Sequence, residues 1–355
     1  MYPRLKIYLK RIEENTRVVR QLCAGHGIRI MGVTKACCGA PELAEAYLAG
    51  GLAMIGDSRV ANLKKLKNIE AEKWLIRPPM LSEIEDLVRY ADVSLQSEME
   101  TVRAINKECE KQGKRHKIIL MMDLGDIREG YVDEEELIAA AETEKLSHVD
   151  LYGIGTNLTC FSFIQADEEK MECLAEMRRK VENAAGHTLE IVSGGNSAAL
   201  DLMMRGGICE GVDNFRLGES LLFGKERSRY TFLPGTRNDG FILECEVVEA
   251  KVKPSLPWGT AGVDSYGRKP VFTDRGEKRK KVICAIGRQD FDAETATPVD
   301  EGILILGASS DHLMLDVTDS VKEYKVGDIV ELRLGYFSVL RAFTSPYVEK
   351  IFLKK

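Results

Sequence analysis

The chain has 355 residues, more than one ordinary hydrophobic core accommodates, and suits a barrel of roughly 200 to 250 residues with a smaller second domain. Its 50 basic and 56 acidic residues are interspersed and give a formal charge of -6, which argues against nucleic acid as a partner. Residues 1–10 lack the apolar stretch of a signal peptide, no apolar run reaches membrane-spanning length, and nine cysteines without a CxxC pair read as reduced thiols, so a soluble, cytoplasmic protein is expected.

Leu5, Ile7 and Leu9 alternate with Arg4, Lys6, Tyr8 and Lys10, the period-two pattern of a half-buried strand; residues 1–10 are assigned as a strand that joins a later β domain. Residues 11–23 then carry an amphipathic helical pattern. Apolar strand-like runs follow at 28–34, 53–56, 74–76, 93–95, 118–122, 151–155, 189–192 and 212–217. Helical patterns lie between them, for example at 41–49, 98–111, 134–146 and 168–184, with Pro41 suited to a first helical turn. Repeated βα units with parallel strands predict an α/β TIM (β/α)8 barrel over 11–235. Beyond Gly235 the runs are short and separated by Gly and Pro turns, at 241–252, 281–286, 302–306, 313–317 and 329–334, which predicts a C-terminal antiparallel β domain over 236–355. Residues 254–276, rich in Gly, Pro and charge, read as a long loop of that domain.

Active sites of such barrels sit where the strands end at their C-terminal side, so the polar residues that follow the apolar runs carry the chemistry. Lys35 ends the first run, where a lysine in a partly desolvated mouth can condense with an aldehyde. A solvated strand-end lysine is the commoner reading of that position alone. Ser193, Gly194, Gly195, Asn196 and Ser197 follow the seventh run and open a helix, so their N–H groups suit a phosphate, as does the turn at Gly218, Glu219 and Ser220. A plain tight turn is an equal reading. Arg216 on the eighth run points into the same mouth, where it donates either to a cofactor ring nitrogen or to an acid such as Glu219. Asp123, Asp126, Arg128, Thr156 and Asn157 follow the fifth and sixth runs.

Taken in order, these motifs resemble the alanine-racemase-like branch of fold type III pyridoxal-phosphate (PLP) enzymes, across both expected domains. Val33, Thr34, Lys35 and Ala36 resemble the family's cofactor-lysine strand, although Cys37, Cys38 and Gly39 replace its usual Asn-Ala-Tyr. Asn196 to Ala199 match the phosphate segment, and Phe215 to Gly218 with Leu221 to Gly224 match the last barrel strand, which assigns Arg216 to the pyridine nitrogen. Asp123, Gly125 and Arg128 are similar to the segment whose arginine supports the cofactor's phenolic oxygen and the substrate carboxylate, with Met121 in place of a modified lysine. Asn157 stands where alanine racemases carry a histidine against the ring, and Tyr336 resembles the phosphate-binding tyrosine, a half-buried strand tyrosine being the alternative. Residues 286–290 resemble the segment of the catalytic tyrosine, yet Arg288 takes its place.

The runs 56–59, 123–130, 193–197 and 307–312 resemble the ornithine and lysine racemase group, so the resemblance implies a racemase of a dibasic amino acid. It implies PLP as cofactor, Lys35 as the acid/base on one face, and a homodimer in which the β domain of one subunit completes the site of the other. For the second face His312, beside Asp311, Ser309 and Ser310, is the leading candidate, with Asp290, Asp311 and Tyr266 as rivals and a non-catalytic histidine as the bland alternative. Arg128, Ser309 and Ser310 are assigned to substrate, and Glu219, Asp57 and Asp264 are possible acceptors for its distal amine. A PLP decarboxylase places a carboxylate at the ring nitrogen, which Arg216 opposes, and a PLP-homeostasis protein does not need the residues after Gly235. No metal is expected, because Cys284 and His312 do not form a ligand pair.

Overall fold

The computed structural model describes residues 1–141, 146–263 and 267–354. Two compact units emerge, one formed by residues 1–7 with 241–353 and the other by residues 8–240. The expected divisions at 10/11 and 235/236 therefore move to 7/8 and 240/241. The reason is local: Asn15 exchanges bonds with Arg237 (Nδ2 to O 2.8 Å, N to Oδ1 2.7 Å) and Arg11 donates to the Asp239 carbonyl at 2.8 Å, which ties residues 236–240 to the first helix.

The chain opens with β1 (Arg4–Tyr8) and α1 (Leu9–Ala24), then builds the larger unit from β2 (Arg29–Val33), α2 (Pro41–Ala49), β3 (Met54–Asp57), α3 (Val60–Lys65), β4 (Glu72–Leu75), α4 (Ile84–Tyr90), β5 (Val93–Gln96), α5 (Met99–Gln112), β6 (His116–Met122), α6 (Glu134–Ala141), β7 (Val149–Thr156), α7 (Glu168–Ala185), β8 (Ile191–Gly195), α8 (Leu200–Met204), β9 (Asn214–Leu217) and α9 (Glu219–Phe223). Strands β2 to β9 close in sequence order into a barrel of eight parallel strands. Its interior is filled by Met31, Trp74, Val93, Leu95, Ile119, Met121 and Ile191, with the Trp74 and Tyr152 rings meeting edge-on at 6.1 Å. Val93 with Leu95 and Ile119 with Met121 show the alternation that a strand dictates. The helices bury the opposite stripe: α5 covers the strands with Val102, Ile105 and Cys109, and α7 with Met171, Leu174, Met177 and Val181. The helix expected over 134–146 is seen to Ala141, and residues 142–145 lie outside the described residues.

In the smaller unit β10 (Phe241–Lys253), β11 (Arg279–Cys284), β12 (Ala296–Pro298), β13 (Leu304–Ala308), β14 (Leu313–Asp316) and β15 (Ile329–Leu334) order as β12-β15-β10-β11-β14-β13 with antiparallel pairing. β1 pairs with β10 in the register Leu5↔Leu243, and β16 (Glu349–Leu353) pairs with β1. β12, β16 and α10 (Tyr336–Thr344) are additions to the sequence reading. The last follows from Val339, Ala342 and Phe343, whose three- and four-residue spacing buries one helical face in a segment otherwise apolar enough to pass for a strand. The described residues of 254–276 form no strand or helix. No described helix is long and apolar enough to cross a membrane.

Candidate active site

The rim of the barrel is assembled from residues just past the strand ends. Thr34 is fully buried, donates its hydroxyl to Asp57 Oδ2 at 2.7 Å and its N–H to the Gly56 carbonyl at 2.9 Å, so β2 is locked to β3 immediately before Lys35. Asp57 is itself fully buried and accepts from Arg59 N at 2.9 Å and Asn62 Nδ2 at 3.0 Å. Burial pushes its carboxyl up, against the bonds from Thr34 and Asn62. Asp57 is thus committed to bracing the lysine turn, which removes it from the candidates for a distal amine. Lys35 opens a short 3-10 turn and is exposed; it makes no side-chain hydrogen bond or ion pair among the described residues, and its charge is felt by Asp57.

Arg216 lies on β9 in register with the inward-facing Met31. Its Nη1 donates to the Ser193 hydroxyl and carbonyl, and its Nη2 to the Thr156 carbonyl at 2.7 Å. Burial pushes the guanidinium down to about 10, against the pull of the Glu129 charge, so it remains a cation at neutral pH. These partners are neutral, and Nε has no partner among the described residues. An ion pair with Glu219 does not form; that carboxylate faces Arg227 Nε at 4.0 Å instead, and burial raises it against the Arg227 charge.

Two turns meet beside Arg216. The Ser197 hydroxyl accepts from Ser220 N and donates to Ser220 Oγ, each at 3.1 Å, joining the turn after β8 to the turn after β9. Asn196 holds the first turn by accepting from Ala198 N at 2.9 Å and donating to the Leu158 carbonyl at 2.8 Å. The glycines here serve packing: a Cβ on Gly194 would lie 2.3 Å from Val212 Cγ1, and one on Gly195 would lie 2.7 Å from Ala199 Cβ. What Gly218 and Glu219 present to an anion is main chain at the start of α9.

The adjoining part of the rim, past β6 and β7, is a pair of loops. Asp123 caps its own loop by accepting from Gly125 N, Ile127 N and Arg128 N at 2.9, 3.1 and 3.0 Å. Asp126 is fully buried and accepts from Cys160 N, Phe161 N and Ser162 N at 3.2, 3.1 and 3.0 Å, stapling the loop after β6 to the loop after β7. Arg128 forms a two-bond pair with its neighbour Glu129. The Asn157 amide fits two ways: one meets Arg216 and Asn196 at 3.5 and 3.4 Å, the other accepts from Arg128 Nη2 at 2.9 Å and Leu158 N at 3.3 Å, and the shorter bonds favour the second.

The remaining candidates lie in the smaller unit. Ser309, Ser310, Asp311 and His312 form the exposed turn between β13 and β14, closed by Ser309 N to the His312 carbonyl at 2.8 Å. Residues 286–290 lie along it, with Arg288 N on the Ser309 carbonyl at 2.8 Å and Gln289 Nε2 on Asp311 Oδ1 at 2.9 Å. Asp290 is buried and accepts from Ser345 Oγ at 2.7 Å, which leaves it a structural acid. Tyr336 begins α10 and does not lie on a strand. Tyr266 and Asp264 lie outside the described residues. Among the described residues no group of three His, Cys, Asp or Glu side chains is placed to hold a metal.

The barrel residues fit an aldehyde cofactor with an anionic tail. Lys35 offers a free amine, Arg216 an unpaired Nε–H in a desolvated mouth, and the Ser197–Ser220 junction hydroxyl and main-chain donors. The sequence reading placed Ser193 and Ser220 in phosphate-binding turns; their bonds to Arg216 and Ser197 were not legible from it.

Comparison with known proteins agrees. The alanine racemase N-terminal domain family matches residues 7–226. The chain is 42% identical to the ornithine racemase of Acetoanaerobium sticklandii, over 99% of both chains, and 40% identical to the lysine racemase of Thermotoga maritima, again over 99% of both. In fold it is similar to the alanine racemase of Clostridium difficile 630 in complex with cycloserine, with TM-score 0.72, 18% identity, and coverage of 100% of this chain and 96% of that one. The chain therefore belongs to the alanine racemase family and is an amino-acid racemase, a membership that implies pyridoxal 5'-phosphate as cofactor.

Proposed function

We propose that the chain interconverts the L and D forms of a dibasic amino acid, ornithine before lysine or arginine. The observation that supports this most is near-full-length identity of 42% with an ornithine racemase, against 40% with a lysine racemase. When bound, the cofactor withdraws electrons from the substrate Cα and makes its proton labile. Lys35 holds the cofactor and moves that proton on one face. Asn196, Ser197, the main chain of Gly218 and Glu219, and Tyr336 would hold the phosphate, and Asn157 would support the ring. Arg216, a retained cation, donates to the ring nitrogen and keeps it unprotonated. A decarboxylase needs a carboxylate there, and Arg216 with its neutral partners speaks against one.

Arg128 receives the substrate carboxylate, and Ser309 and Ser310 offer hydroxyls to the substrate. His312, with Asp311 beside it, moves the proton on the second face. On this reading the β domain serves the site of a second copy, so the cytoplasmic enzyme works as a homodimer. The test is incubation with L-ornithine, L-lysine, L-arginine and L-alanine, following optical rotation and released carbon dioxide. Loss of rotation with ornithine and no gas is expected; gas release or a preference for alanine overturns the reading. Replacing His312 by Asn should slow racemisation by about 100-fold or more, and full activity in both directions removes His312 from the mechanism.

A further inference from the structure

We infer that Glu129 reads the distal ammonium of the substrate, so that Arg128 and Glu129 together recognise the two ends of a dibasic amino acid. This rests on the assignment of Arg128 to the substrate carboxylate.

In the ligand-free chain the two side chains satisfy each other: Arg128 Nε and Nη2 donate to the two Glu129 carboxylate oxygens. The Arg128 side chain is 36% exposed and that of Glu129 only 13%. Arg128 is the more exposed partner of the pair, so an incoming carboxylate can reach it. Glu129 is then a largely buried anion without its counter-charge, a state that is costly unless another cation arrives. A substrate with a second ammonium brings that cation; a neutral side chain of the same length leaves Glu129 unpaired. The discrimination arises from this penalty as much as from the new bond.

Among the described residues, the other acids singled out at the rim are committed. Asp57 braces Thr34, Arg59 and Asn62; Asp123 caps three N–H groups; Asp126 staples residues 160–162; and Glu219 faces Arg227. Glu129 also sits where two guanidinium charges feel it. Its bond holds Arg128 above the ordinary value against burial, and its charge opposes the downward push on Arg216. The acid, Arg128 and Asn157 form a continuous line from the loop, with Arg128 Nη2 2.9 Å from the Asn157 amide.

The test compares the holoenzyme, Glu129→Gln and Glu129→Asp on L-ornithine and on L-norvaline, which has the same carbon chain without the distal amine. Wild type should prefer ornithine. Glu129→Gln should lower kcat/KM for ornithine by about 100-fold, chiefly through KM, and leave norvaline unchanged or improved because Arg128 has lost a competitor. Glu129→Asp should recover part of the loss. The rise in Tm on adding ornithine, which needs no turnover, should vanish in Glu129→Gln and persist in Glu129→Asp. The ornithine-to-norvaline ratio is internal to each variant, so a smaller folded fraction cancels. Equal turnover of both substrates by wild type sinks the dibasic reading itself. A wild-type preference that survives in Glu129→Gln, with the Tm rise intact, overturns the role of Glu129 and leaves that reading standing.

Discussion

The rim is built in two ways. At the ends of β8 and β9 the polar groups are buried and bonded to each other: Ser193 to Arg216 within the strands, and Ser197 to Ser220 in the turns that follow. Past β6 and β7 the loops expose Ile127, Phe161 and Phe163, and place Ile127, Thr159 and Phe163 in the left-handed region at φ 52°, 69° and 59°. Such conformations cost about 1 to 3 kcal/mol each and are retained here because Asp123 and Asp126 hold the loops from within. A cross-braced side suits a cofactor that stays through many turnovers, whereas a loop pair held by two carboxylates suits a substrate that must enter and leave.

Removing the lysine assigned to the cofactor should have the largest effect. Lys35→Ala is expected to lower kcat by about 10,000-fold while the barrel folds normally; retention of a borohydride-reducible cofactor together with normal inversion of substrate would end the assignment. A pH scan tests the scaffold beneath the loose side. His116, at the start of β6, is fully enclosed beside Ser94 Oγ at 2.9 Å, and burial lowers it to about 4. It stays neutral when folded, whereas the unfolded chain takes up a proton near 6.5. Stability from this group is therefore complete above about pH 6.5 and is lost as pH falls towards 4, by roughly 3 kcal/mol. Denaturant melts at several pH values should show this slope, and His116→Gln should flatten it.

Smaller effects should separate the two sides. Asp126→Ala deletes the acceptor of three loop N–H groups and should loosen residues 157–164 by about 2 kcal/mol, seen as faster amide exchange and a KM raised about tenfold with kcat little changed. An unchanged exchange rate would show that the loops hold themselves. Ser197→Ala severs the joint between the two turns and should weaken cofactor affinity about tenfold, read by equilibrium dialysis, with the loops past β6 and β7 unaffected. Comparable loosening in both regions would break the contrast.

Much of this was legible in the amino-acid order. Alternating and 3.6-residue periodicities report which side of each element is buried, so the barrel and its eight strands could be read directly, and with them the placement of Lys35 and Arg216 at strand ends. The β domain was legible as short strands, but α10 was not, because an apolar run such as 336–344 satisfies either period until its packing partners are known. Hydrogen-bond partners were equally out of reach. Ser197 meets Ser220, Asp126 meets residues 160–162, and Arg216 crosses to Thr156, pairings set by strand register and by which loops end at the same height of the barrel. Periodicity is a local property of the chain and names a face. The identity of the group across from that face depends on closure of the sheet, and only the tertiary structure supplies it.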